Sequence, residues 1–287
     1  MLAGVLLGIG ASACWALANV AVQRAGHRIG TVRALLWAQL SGGVMAAIAA
    51  AVFDQRTAPV SGPVIAWLAV AGVAALIGYG CMFYAFAHAR LTIAVPIMSS
   101  WAVISAALSI AVFGERLGGL QVVGGAAVLA GALVVSRYAQ AEGARAAGGA
   151  TPRWLLAAIA AAVGFGVLIP LMGRLVPVFG DIGAVGVVYV ADIVVGLPFA
   201  LMFGLGLRPP GRDAWLPVLA AGLCETAGFA CITIGARYAP LALVSPFASL
   251  ASALTVAYAW TFLRERPARP VLAGAALVCA GVVVLAL

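Results

Sequence analysis

The chain has 287 residues, 65% of them apolar and only 8% charged, too few polar groups to cover a soluble protein of this size. Its net charge of +8 comes from arginine alone, without lysine, and no basic patch interleaved with aromatics accompanies it, which excludes nucleic acid as a partner. Ten apolar stretches long enough to cross roughly 30 Å of hydrocarbon run from end to end, at about 2–22, 32–53, 63–87, 92–113, 118–136, 154–173, 182–207, 214–235, 240–263 and 270–287. They predict an all-α membrane protein with ten transmembrane helices.

The first segment holds Cys14-Trp15-Ala16-Leu17-Ala18-Asn19, with Asn19 one turn below Trp15 on the same face. Residues 1–13 lack a charged start, so this segment is read as a retained span and not as a signal peptide. Tyr79 and Tyr84 lie in the third segment, and Pro96, Ser99, Ser100 and Trp101 in the fourth. The stretch from Arg137 to Arg153, rich in Gly and Ala, reads as a flexible tether. Beyond it come Phe165 in the sixth segment, Asp192 in the seventh, Glu225 in the eighth, and Pro246, Ser249 and Ser252 in the ninth. All five cysteines fall inside apolar segments, where free thiols pack as small apolar groups.

The chain repeats itself. Pro96 to Glu115 spans the same interval as Pro246 to Glu265, and the same offset of 150 carries Trp15 to Phe165, Arg24 to Arg174, Gly124 to Gly274 and Gly131 to Gly281. The chain therefore divides into a first five-helix repeat (1–136), a linker loop (137–152) and a second repeat (153–287). Five crossings per half turn the second copy upside down in the bilayer. Inverted repeats of this kind place a binding site at the midplane where the halves meet, and they underlie alternating access.

Two carboxylates, Asp192 and Glu225, fall near the centre of their spans, where an ionised group costs about 2.5–3.5 kcal/mol on insertion scales and usually faces a cavity. Either would serve as a coupling site for protons or as a partner for a substrate ammonium. The plainer alternative is a protonated carboxyl bonded to a neighbouring helix, through Tyr189 in the case of Asp192. The first half offers Gly42 and, approximately, Gly78 at the aligned places. Trp15, Tyr79, Tyr84, Trp101 and Phe165 are the aromatic candidates for a cavity wall, and such a wall with a carboxylate suits a cation or a flat amino-bearing molecule. Each of them would equally serve as packing between helices. Asn19 and Ser249 are candidate substrate ligands, and Asn19 would equally bond across helices. Pro96 and Pro246 are candidate hinges, since each frees a carbonyl one turn earlier; their alternative is an ordinary first-turn proline with serines bonded back to the backbone.

Glu115 and Glu265 oppose the macrodipole at their helix ends and read as interhelical latches beside Arg116 and Arg266. Gly124 with Gly131, and Gly274 with Gly281, set small residues on one face for close helix contact, within the chain or in a dimer. His27 and His88 lie at helix ends. No nucleophile triad, phosphate loop or paired metal ligands appear, so no catalytic residue, metal or cofactor is expected.

These pieces resemble the drug/metabolite transporter superfamily in its ten-helix EamA-like form. The resemblance rests on the Cys14–Asn19 stretch, on HARLTIAVPIMSS repeated as GARYAPLALVSPFASL, on Phe113-Gly114-Glu115-Arg116 echoed by Leu263-Arg264-Glu265-Arg266, and on the Gly-rich helix after each. Within that family the chain looks most like the YddG-type exporters of aromatic amino acids and related metabolites. The resemblance implies a basket of helices 1–4 and 6–9 around a central cavity, with the helix 3–4 and 8–9 hairpins gating opposite faces. One departure is that the first helix carries no acidic residue, unlike the four-helix multidrug members.

The expected function is a bacterial inner-membrane exporter or exchanger of small metabolites such as amino acids, a monomer or homodimer in the lipid bilayer. The alternatives are proton-coupled efflux of amphipathic cations, a channel and, more distantly, a polytopic membrane enzyme. With a cytoplasmic N-terminus only Arg56, Arg116, Arg174 and Arg237 would lie inside, so the positive-inside rule favours an external N-terminus.

Overall fold

The computed structural model describes residues 2–54, 59–101, 103–105, 107–108, 119–147, 152–202, 208–235, 237–238, 244, 247–248, 250–264 and 267–285. Among these, the elements in chain order are α1 (Leu2–Ile29), α2 (Thr31–Phe53), α3 (Gly62–His88), α4 (Leu91–Met98), α5 (Gly119–Ala147), α6 (Arg153–Phe179), α7 (Asp181–Met202), α8 (Arg212–Gly235), α9 (Ala251–Phe262) and α10 (Arg269–Leu285). Six of them are long and apolar enough to cross a membrane: α1, α2, α3, α6, α8, and α7 over Asp181–Pro198. Leu6, Ile48, Ile65, Val194 and Leu216 lie exposed on the outer surface. An apolar exterior this extensive is stable against lipid and not against water.

The connections repeat as the sequence does. Gly30 alone joins α1 to α2, and Gly180 alone joins α6 to α7, both at φ +82°. This left-handed conformation suits glycine and strains any side chain. Gly180 has a second constraint, because a Cβ there would fall 2.5 Å from Cγ of Asp54. Asp54, just past α2, accepts hydrogen bonds from the backbone nitrogens of Ile182 (2.7 Å) and Gly183 (2.6 Å). Its carboxylate thereby caps the positive end of α7, across the two repeats.

The helix crossings show that the second repeat is inverted. A Cβ on Gly131 would lie 2.6 Å from the Gly274 carbonyl, and one on Gly281 would lie 2.6 Å from the Gly124 carbonyl. These two contacts exchange under the offset of 150. They also run α5 and α10 antiparallel, whereas repeats in one orientation would set equivalent helices parallel. The same exchange relates a Cβ on Gly78, which would lie 3.3 Å from the Phe165 ring, to one on Gly228, which would lie 2.5 Å from the Trp15 indole. It also relates Gly72 against Ala191 to Gly222 against Ser41. The two halves are thus related by a pseudo-two-fold axis lying in the membrane plane.

The fourth helix is interrupted just after Pro96. Pro96 supplies no donor, and α4 ends at Met98, two residues later. Ser99 donates from Oγ to the Val95 carbonyl (3.0 Å) and Ser100 from Oγ to the Ile97 carbonyl (2.8 Å), so both serines bond back onto the backbone. The turn recurs in the second half. The Ser100 nitrogen donates to Ile97 O at 3.2 Å, and the Leu250 nitrogen donates to Phe247 O at 3.3 Å. Pro246, Ser249, Glu115, Arg116, Glu265 and Arg266 lie outside the described residues.

The linker expectation needs correcting. Residues 137–147 are not a loop but the continuation of α5, which runs to Ala147. The segment is alanine-rich, and alanine is the strongest helix former, so propensity prevails over the scattered glycine. Residues 148–151 lie outside the described residues.

Two outcomes test this architecture. Gly131→Ala and Gly281→Ala should each lower stability by about 1–3 kcal/mol through overpacking, read by thermal unfolding in detergent. Gly119→Ala, which meets nothing within 4 Å, serves as the neutral control. Cysteines at Arg90 and Tyr238, at the ends of α3 and α8, should label from opposite sides of a sealed vesicle, and labelling from the same side would contradict the inversion.

Candidate functional site

A cavity of about 80 Å³ lies between the halves, walled by α1, α3, α4, α6, α8 and the residues entering α9. It holds room for several water molecules. Trp15 and Asn19 reach it from α1, four residues apart on one face, and Met82 and Phe86 do the same from α3. Val95, Met98 and Ser99 enter at the interruption of α4, with Trp101 just beyond. The opposite wall is Phe165 and Ile169 of α6, with Glu225 and Phe229 of α8 again one turn apart. Ala248, Ala251 and Ser252 complete it.

The rings hold one another in place. Trp15 meets Phe229 edge to face, with centroids 5.0 Å apart. The closeness of Gly228 to the Trp15 indole leaves no room for a β-carbon there. Asn19 donates from Nδ2 to Thr255 Oγ1 at 2.9 Å, which ties α1 to α9. Among the described residues, Trp15 Nε1 and Ser252 Oγ have no hydrogen-bond partner in the protein. Buried polar atoms normally find one, so these two are available to whatever fills the space. Glu225 is 8% exposed. No arginine or histidine stands among the described lining residues.

Of the residues singled out by sequence, Trp15, Asn19, Trp101, Phe165 and Glu225 are brought together here. Tyr79 is not in the wall. Its ring packs edge to face on Phe165 (5.0 Å) and against Tyr189 (6.1 Å), behind the cavity. Tyr84 is also elsewhere, stacked on His88 with centroids 4.2 Å apart. It falls two residues from both Met82 and Phe86, which turns it to the other side of α3. Asp192 is away from the cavity and buried, and it accepts a hydrogen bond from Gln39 Nε2 at 2.7 Å. Its expected partner, Tyr189, is replaced in that role by an amide from α2. Asp192 Oδ1 has no partner among the described residues. Ser249 lies outside the described residues.

Sequence reasoning missed Phe229, Phe86, Met82 and Gln39. The signals were present: Phe229 follows Glu225 by one turn, and Gln39 is an amide inside an apolar span. At the exact offset of 150, Ala75 is the counterpart of Glu225, and Gly78 is the counterpart of Gly228.

A basket of antiparallel helices, duplicated by inversion around a cavity between the halves, is the architecture of an inverted-repeat membrane transporter. The EamA-like transporter family model matches residues 2–137 and 152–287, one copy on each half. The chain belongs to the EamA-like transporter family, within the drug/metabolite transporter superfamily. A crystal structure of another protein is similar over 98% of this chain and 95% of its own, with a TM-score of 0.68 and 24% identity. That likeness shows the fold alone. Among curated proteins no sequence match reaches significance.

Removing the donor to Asp192 tests its structural dependence. Gln39→Leu keeps the bulk but leaves the carboxyl unpaired, and should cost about 1–3 kcal/mol, read by thermal unfolding in detergent. An unchanged transition would show that Asp192 needs no support from α2.

Proposed function

We propose that this transporter is a secondary carrier of the bacterial inner membrane that exports small amino-bearing metabolites, amino acids among them. It works by rocking one five-helix half against the other around the cavity. The observation that supports this reading is a single carboxylate, Glu225, set among Trp15, Trp101, Phe165 and Phe229 at the junction of the halves. A carboxylate among ring faces attracts an ammonium group, and the rings accept a flat apolar body. The likeness to YddG-type exporters points the same way.

A second reading has an observation of its own. The described wall has an acid but no arginine or histidine, so a substrate carboxylate finds no opposite charge. That favours amphipathic cations over zwitterions, with Glu225 exchanging a proton for the substrate. Orientation follows the arginines. Arg28, Arg33, Arg208 and Arg212 gather at the face where α1 joins α2 and α7 joins α8. Arg28 donates to the Asp213 carbonyl there, and Arg33 to those of Arg208 and Pro209. The positive-inside rule makes that face cytoplasmic and the N-terminus external.

Purified protein in liposomes, given labelled amino acids and labelled amines in parallel, separates the two readings. Glu225→Gln should lower transport of either class by roughly ten- to a hundredfold, the range for a hydrogen bond to a charged group, and should abolish the pH dependence of what remains. Wild-type rates with unchanged pH dependence would make Glu225 a structural carboxyl. Uptake of amines but not of amino acids would select the cation reading.

A further inference from the structure

The two halves carry unlike residues at one position of α1 and α6, next to their helical corners. On α1, Gln23 is buried and donates from Nε2 to the Ala89 carbonyl at 3.2 Å. Ala89 is the last residue before the α3–α4 corner turns, its φ of −134° already extended. The bond therefore fastens that corner to α1. Behind it Leu91, Thr92, Ile93 and Ala94 are all buried.

The offset of 150 carries Gln23 to Gly173 on α6. A Cβ there would meet nothing within 4 Å. Instead of a filled contact, the second half has a vestibule of about 220 Å³. Met172, Gly173 and Val176 of α6 line it opposite Ile232 and Thr233 of α8. It shares Ile169 and Phe229 with the central cavity, so the two spaces abut. At its outer end stands the ion pair of Arg237 with Asp181, on the face of the α8–α9 corner.

We infer that Gln23 is the latch of the α3–α4 face, and that Gly173, its counterpart, supplies no such latch to the opposite face. This rests on the alternating-access reading above. To expose the cavity on its closed side, the α3–α4 corner must leave α1, and the Gln23–Ala89 bond is lost in that step. Gly173 has no side chain to make the equivalent bond, and Ala239, the counterpart of Ala89, lies outside the described residues. Gln23 does not line the cavity, so its effect falls on the populations of the two states and not on substrate contacts.

The test uses Ser252→Cys on the cavity wall, in oriented vesicles, with a small charged membrane-impermeant thiosulfonate applied from either side. Labelling is read as the increment over protein that lacks this cysteine. The parent should react mainly from the α8–α9 face. Gln23→Leu, which keeps bulk but removes the donor, should raise labelling from the α3–α4 face about five- to tenfold, the worth of one hydrogen bond. Gly173→Gln, placed in open space, should lower labelling from the α8–α9 face. Should Gln23→Leu fail to fold, this second variant still decides. Parent labelling from both faces, with a ratio that neither variant changes, overturns the latch and leaves alternating access standing. Labelling from one face only, in the parent and in both variants, overturns the two together.

Discussion

In hydrocarbon, helices gain little by hiding apolar surface from one another, since lipid chains are as apolar as leucine. What joins the two halves here is the closeness of their backbones at small residues. Gly131 against Gly274, Gly281 against Gly124, and Gly228 against Trp15 all leave no space for a β-carbon. The Gly131–Gly274 and Gly281–Gly124 contacts are exchanged copies of one another, and Gly78 against Phe165 is the looser copy of Gly228 against Trp15. The inversion axis, the antiparallel α5–α10 pair and the position of the cavity all follow from these crossings. They also bring Trp15 and Phe165 to opposite sides of one space, because each ring packs on the glycine of the facing repeat.

The fold was legible because its signals are of two strong kinds. Ten long apolar runs fix the helices, and a constant offset fixes the inversion once five crossings per half are counted. The linker was misjudged because glycine and alanine together look like a tether, while alanine alone propagates a helix already begun. The site was only partly legible. A span's composition names aromatics and acids, but it does not say which of them face inward, and in a membrane helix apolar residues occupy every side. Tyr84 and Phe86 are two residues apart on one helix, yet only Phe86 reaches the cavity. Asp192 and Glu225 look alike in sequence. The difference comes from α2, which presents Gln39 to Asp192 and nothing comparable to Glu225.

That difference also separates the roles open to the two acids. A carboxyl whose oxygen is already held at 2.7 Å by a buried amide has part of its bonding capacity committed. A carboxyl on the wall of a cavity can exchange its partner for a ligand without disturbing a helix contact. The counterparts in the first half are Gly42 and Ala75, which can do neither. The duplicated scaffold therefore supplies shape twice and acidic chemistry once.

Inverted repeats of identical sequence would give two states of equal energy, each the mirror in topology of the other. Every departure from identity biases that balance, and the departures here are not evenly spread. A departure on the cavity wall, such as Glu225 where the first half has Ala75, bears in the proposed reading on what is bound. In the latch reading proposed above, those at the corners, such as Gln23 against Gly173, favour one state over the other without touching the ligand. In the latch reading, a bias worth one hydrogen bond is about 1 kcal/mol, a ratio of about five, which leaves the minor state at roughly 15% and within reach. A much stronger latch would trap the carrier on one side. A single neutral hydrogen bond from an amide to a corner carbonyl sets a preference that ligand binding energy can readily reverse.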